Sequence, residues 1–170
     1  MRIYNLAEAP PKETLQARQE AGRIFNQAGI EVRWLGCALS LQEALKNTAC
    51  AEPSGPHDVD LVVNTTSFTR PGISTDASLG FALPLAHPPH AVVLWDRSMK
   101  MAECSGVPAG IILGHAIAHE LGHLLLRSME HSRMGIMRSR WGKRELLGAQ
   151  SGRLLFTTRE ATVMRLGLMN

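Results

Sequence analysis

This 170-residue sequence is short of several things: it has three cysteines, one tyrosine and 5% aromatic residues. It contains no internal repeat and no low-complexity tract, which excludes stacked-repeat architectures and a disordered spacer. No stretch approaches the ~18 uninterrupted apolar residues of a membrane span. No charged-then-apolar leader opens the chain, which passes from Met1-Arg2-Ile3-Tyr4 straight into strand-like sequence. What remains is 45% hydrophobic and 19% charged, an ordinary balance for a soluble domain. At this length a single domain with a substantial core is expected, with no membrane partner and as a monomer.

The net charge of +3 is unevenly spread. Up to Leu126 there are nine Lys/Arg against twelve Asp/Glu; from Arg127 onward there are nine against three. A basic C-terminal third can bind nucleic acid. Here the arginines are dispersed with little aromatic interleaving, so a solvated basic rim favouring acidic substrates is the better reading, with no nucleic-acid partner.

Cys37 and Cys50 bracket a short segment, and Cys104 stands alone. The capping-box pattern at Ser40–Glu43 places a short helix between the first two. A 37–50 disulfide would close a loop of about 14 residues, worth about 3 kcal/mol, and would point to a secreted or periplasmic protein. Two buried thiols in a reducing cytosol are the alternative.

Residues 2–6, 30–35, 59–65, 79–83 and 91–96 read as strands. The mostly apolar 59–65 run suggests burial on both faces. Residues 12–28 carry Leu15, Ala21, Ile24, Phe25 and Ala28 at near-helical spacing, and Gly29 is a natural stop. Pro108 opens a helix that is apolar nearly all round to Leu126, which places it in the core. The capping-box pattern Thr157–Glu160 opens a last helix over about 158–167. The order is that of an α/β (α+β) domain with a central helix under a sheet.

That central helix carries HELGH at 119–123. His119 and His123 are i and i+4, so their imidazoles stack on one face and can share a metal. Glu120 points about a quarter turn away, where it can hold an attacking water without being a ligand. Imidazoles with an open position favour zinc, and iron, cobalt or nickel also fit. A buried apolar helix carrying His115, His119, Glu120 and His123 demands that these groups be satisfied, and a metal does so. His131 is the preferred third ligand; Glu130 and Glu145 are carboxylate alternatives. His115 cannot join, because ligands at i, i+4 and i+8 span about 12 Å along a straight helix. His57, His87 and His90 lie in Pro-rich loops and read as surface residues.

The pattern HELGH, then His131 and HSRMGIM (131–137), resembles the metzincin clan of zinc metallopeptidases, in particular its matrixin-like branch. The resemblance covers nearly the whole chain in element order and is motif-specific over 115–141. It implies a zincin-like fold: a twisted mixed sheet of about five strands, the active-site helix beneath it, and a C-terminal helix after a methionine turn. It further implies an upper part (1–126) and a lower part (127–170). The implied roles are one zinc ion on His119, His123 and His131, Glu120 as general base, and Met137 as an apolar floor under the metal. LGFAL (Leu79, Gly80, Phe81, Ala82, Leu83) is implied to be the antiparallel edge strand that binds substrate.

The chain departs from that family in two places. The glycine usual three residues after the second histidine is Leu126 here, and two extra residues precede His131. The tyrosine that some relatives carry after the methionine turn is replaced by Arg138, and Tyr4 is the only tyrosine. The expected activity is peptide-bond hydrolysis on an extended peptide or protein substrate added to the LGFAL edge. The alternative is a zinc protein that binds peptide or protein with little turnover.

Overall fold

The computed structural model describes residues 1–37, 50, 52, 55, 58–68 and 78–169. Among these it is a mixed α/β domain with a five-stranded mixed sheet and five helices. The strands are β1 (Arg2–Asn5), β2 (Leu35–Cys37), β3 (Asp60–Asn64), β4 (Gly80–Leu83) and β5 (His90–Leu94). They lie in the order β2-β1-β3-β5-β4, parallel except for β4, which runs antiparallel to β5 with Gly80 opposite Val93. The expected antiparallel edge strand at LGFAL is therefore present. Leu79 lies just outside it, its carbonyl accepting the Leu94 N–H at 2.8 Å.

Helix α1 (Pro11–Gln27) starts on a proline, whose missing N–H costs nothing in a first turn. It buries Ala17, Glu20, Ala21, Ile24 and Phe25, a stripe at i, i+3, i+4, i+7 and i+8. Leu15, expected on that stripe, is exposed. The expected strand at 30–35 is displaced: Ile30 is buried and pairing begins only at Leu35, whose N–H meets the Met1 carbonyl at 2.9 Å. Alternation in the sequence marks the burial of side chains, but a strand needs a neighbour at the right register. The burial on both faces expected of 59–65 is not seen: β3 alternates, with Leu61 and Val63 buried, whereas β5 is buried from Ala91 to Leu94.

Two helices were not expected. The first, α2 (Trp95–Ser105), begins where β5 ends, so Trp95 and Asp96 belong to a helix and not to the strand. It buries only Ser98, too little to leave a periodic apolar stripe. Asp96 in its first turn accepts from the Thr66 N–H at 3.1 Å, tying it to the 3-10 turn Thr66–Phe68. The second, described with the site below, is α4 (Lys143–Gln150).

Helix α3 (Ala109–Leu126) follows Pro108 and is buried on nearly every side. It is long and apolar enough to cross a membrane, but 78% of it is buried inside the fold, the condition of a core helix. Its packing on α1 is unusually close. A Cβ added at Gly114 would stand 2.8 Å from the Ala17 carbonyl oxygen, and one at Gly110 would stand 2.9 Å from that of Glu13. Together with Ala17 and Ala21 these glycines let the two backbones touch, which fixes the depth of α3 under the sheet. The chain ends with α5 (Thr158–Leu168), close to expectation.

Cys37, at the end of β2, is joined to Cys50 by a disulfide with Cα atoms 5.8 Å apart, and Cys104 is free and exposed. The helix expected at Ser40–Glu43, and His57, lie outside the described residues.

Candidate metal centre

His119 and His123 project from the same face of α3, their rings 4.8 Å apart and nearly perpendicular. Each is held from behind. His119 Nδ1 is 2.8 Å from the Ile136 carbonyl oxygen, and His123 Nδ1 is 2.8 Å from that of Ser128. A carbonyl only accepts, so both Nδ1 atoms carry the proton and both Nε2 atoms present a lone pair. Those two Nε2 atoms face each other at 3.1 Å. Burial, reinforced by the neighbouring histidines, pushes His119 down to about 4 despite the Ile136 hydrogen bond; burial also lowers His123. Burial thus disfavours a proton shared by the pair. Two lone pairs aimed at one point call for a cation, and ligands at about 2.0–2.1 Å on a tetrahedral ion stand roughly 3.3 Å apart.

His131 completes the group. One ligand atom from each of His119, His123 and His131 lies within 4.8 Å of the others, and these three residues could hold a metal ion. Glu130 is not among them, and Glu145 is engaged elsewhere, accepting from Arg138 at 2.7 Å and from the Gly142 N–H at 2.9 Å. His115 is fully buried one turn earlier, bonded through Nδ1 to the Ile111 carbonyl at 2.9 Å, and stays out of the cluster. His87 is exposed; His90 is half-buried at the start of β5 and not in a loop.

How the chain turns without the expected glycine is visible at the end of α3. Arg127 adopts the left-handed conformation (φ 51°, ψ 36°). Its N–H reaches the Leu124 carbonyl at 3.2 Å, and the Ser128 N–H reaches that of His123 at 3.2 Å. This pair of bonds is a Schellman cap, one residue later than the position where a glycine was expected. The cap aims the Ser128 carbonyl back at His123 Nδ1, so the turn and the ligand's orientation are one structure. A non-glycine residue there costs about 1–2 kcal/mol. Arg127→Gly is expected to raise stability by about 1 kcal/mol in urea denaturation with metal affinity unchanged; a loss of stability would show that the arginine side chain holds the turn.

Beyond the turn, the loop is pinned from below. The Ser132 N–H bonds the Met137 carbonyl at 2.8 Å, and the Ser132 hydroxyl donates to Glu160. Glu160 also accepts from the Thr157 N–H at 2.7 Å, so the cap of α5 anchors the strip carrying His131. Met137 is fully buried against α3: a Cβ at Gly122 would stand 2.7 Å from its Sδ. Trp141 was missed in the sequence. Its Nε1–H donates at 3.1 Å to the Ile136 carbonyl that also orients His119, and its ring stands edge-on to His119 at 5.9 Å. A lone tryptophan in the basic run 138–144 was the available signal.

Glu120 is 6% exposed, and burial pushes its carboxyl up to about 8. It lies directly against β4: a Cβ at Gly80 would stand 2.8 Å from Glu120 Cγ and 2.5 Å from the Val92 carbonyl oxygen. Edge strand and acid are thus in contact because residue 80 has no side chain. The Gly80 N–H and C=O are met by the Ser78 hydroxyl, and among the described residues no other strand pairs with that side of β4. Tyr4 lies in β1, with β3 and β5 between it and β4, and Arg138 is held by Glu145.

Comparison with protein-family models, curated proteins and solved structures found no match to this chain. The site rests on its own chemistry: two buried imidazoles with opposed lone pairs, a third at the surface, and a buried carboxyl beside an open strand edge.

Proposed function

We propose that this chain is a metzincin-like zinc metallopeptidase that cleaves peptide bonds. The observation that carries the reading is the convergence of His119, His123 and His131 with Glu120 against the edge strand β4. Three clustered imidazoles suit a catalytic zinc, which would supply Lewis acidity for polarising a carbonyl and activating water. The carbonyls of Ile136 and Ser128 hold the two helical ligands in the correct tautomer. Glu120 takes the proton of the attacking water and delivers it to the leaving amine. An extended substrate pairs with β4 and displaces the Ser78 hydroxyl from Gly80. Met137, packed against Gly122, forms the floor. The disulfide supports an oxidising compartment, secreted or periplasmic.

One observation favours the reading of a binder with low turnover. The position after Met137 carries no tyrosine, and the Arg138 that stands there is bound to Glu145. A diverse peptide library, digested by zinc-loaded protein with and without chelator and by Glu120→Ala, separates the two. Chelator-sensitive cleavage absent from the variant is the expected outcome; peptide capture without cleavage would establish the binder.

Contact between β4 and Glu120 gives a sharper expectation. Gly80→Ala must move either the β5 carbonyl or the acid, so a loss of about 1–3 kcal/mol in stability is expected. Cleavage should fall at least about tenfold, because sub-ångström displacement of a positioned group is costly. Full activity in Gly80→Ala would show that the acid works from another position.

A further inference from the structure

The loop that follows His131 borders a concavity that the proposed chemistry does not use. A cleft of about 870 Å³ opens between the loop after His131, helix α4 and the turn at 151–155. Its size is that of a ligand pocket. Arg133, Lys143, Arg144 and Arg153 line it together with the Arg138–Glu145 ion pair, and Met134 and Leu147 add apolar surface. Both of these apolar side chains are substantially exposed, at 68% and 53%.

Of the five cationic side chains in the lining, only Arg138 is neutralised from within, by Glu145. Of the three acids after Arg127, Glu145 is held by Arg138 and the Gly142 N–H, and Glu160 by Ser132 and the Thr157 N–H. Glu130 does not line the cleft. Among the described residues no carboxylate lies within 4.0 Å of Arg133, Lys143, Arg144 or Arg153. The four cations left without a carboxylate partner repel one another, and low-dielectric walls focus their field on whatever enters. Apolar surface between the cations asks for a ligand with both acidic and apolar groups. No aromatic side chain lines the cleft, so it offers no stacking platform for bases. Its concavity is wrong for a flat bilayer surface. Arg133 is two residues from His131, a reach of at most about 7 Å along the chain.

We propose that this cleft is a specificity subsite that selects peptides carrying an Asp or Glu side chain, flanked by an apolar residue, within about three residues of the bond placed at the histidines. The cleavage part of this statement rests on the peptidase reading; the binding part does not.

Two measurements test it. In the first, fluorescent peptide pools matched except for Asp/Glu against Asn/Gln are titrated onto zinc-loaded Glu120→Gln protein by anisotropy, at low and high salt. In the second, cleavage sites in the same pools digested by the wild type are read by mass spectrometry. Acidic peptides are expected to bind on the order of tenfold more tightly at low salt, with the difference shrinking as salt rises. Arg133→Glu/Arg144→Glu should reverse the preference toward Lys-containing peptides, while Arg159→Ala, which removes a charge on α5 outside the cleft, should keep it. Equal binding of both pools overturns the proposal. So does an equal loss in Arg159→Ala, which would mean diffuse net charge, or tighter binding of an oligonucleotide abolished by the double reversal. Acid-selective binding without any cleavage would uphold the subsite and refute the peptidase.

Discussion

Glu120→Gln is expected to lower the rate of peptide hydrolysis by about 10²–10⁴-fold, the usual contribution of a positioned general base. Zinc content should be unchanged, since Glu120 is not among the clustered ligands. The variant is nearly isosteric, so the cleft geometry against Gly80 survives and only proton transfer is lost. It also carries a signature that no structural accident would mimic. In the metal-free protein burial pushes Glu120 up to about 8 from an ordinary 4.5. The folded state therefore holds this proton more tightly than the unfolded state does. The resulting stabilisation is complete below pH 4.5 and is lost as pH rises through about 8. Glutamine has no proton to lose. Metal-free Glu120→Gln should thus pull ahead of metal-free wild type between those limits, by at most on the order of 5 kcal/mol above pH 8. Urea denaturation of both proteins at pH 5, 7 and 9 reads the gap. Parallel curves at all three values would mean that the acid is not desolvated. Loss of zinc from the variant would make Glu120 a ligand and remove the assignment of a base.

The second large effect is at His131. His131→Ala is expected to weaken metal binding more than about 100-fold, beyond the 10–100-fold typical of removing a ligand's hydrogen-bond partner. The metal-free fold should be unaffected to within about 0.5 kcal/mol, because the side chain is exposed. The strip carrying it is held independently by Ser132 on Met137 and Glu160. Glu130→Gln is the control and should change affinity less than twofold. Competition against a chelating dye measures both. If His131→Ala kept its metal and Glu130→Gln lost it, the site would have a carboxylate third ligand and belong to another class of zinc peptidase. His123→Ala makes a useful contrast: that residue is buried and tied to the Ser128 carbonyl, so both metal and stability should suffer.

Residues whose surroundings are local were readable in the sequence. The Thr157–Glu160 cap and the buried stripe of α1 depend on neighbours three or four positions away, and both appear close to where the pattern placed them. Helices α2 and α4 escaped because each is short and only lightly buried, so neither leaves an apolar stripe. The strand at 30–35 was misplaced for a related reason. Its alternation was real, but pairing with β1 begins only at Leu35.

The missing glycine after His123 looked like a defect and is not one. A left-handed residue is still there, four positions after the histidine, and it is an arginine. Spacing rules carry the usual metzincin solution, whereas the backbone here requires only one residue with positive φ at a place where the following carbonyl can meet His123.

What the sequence by itself determined is the pair His119 and His123 with Glu120 a quarter turn away, because the 3.6-residue period of a helix is a local property of the chain. Tertiary structure alone decided that His131, and not Glu130 or Glu145, joins that pair. It alone aimed the carbonyls of Ile136 and Ser128 at the ligands, set Trp141 behind His119 and brought Gly80 against Glu120. The physical reason is sequence distance. Gly80 and Glu120 meet only because α1, α3 and the sheet pack at one depth, and that depth is set by small residues on helices far apart in the chain.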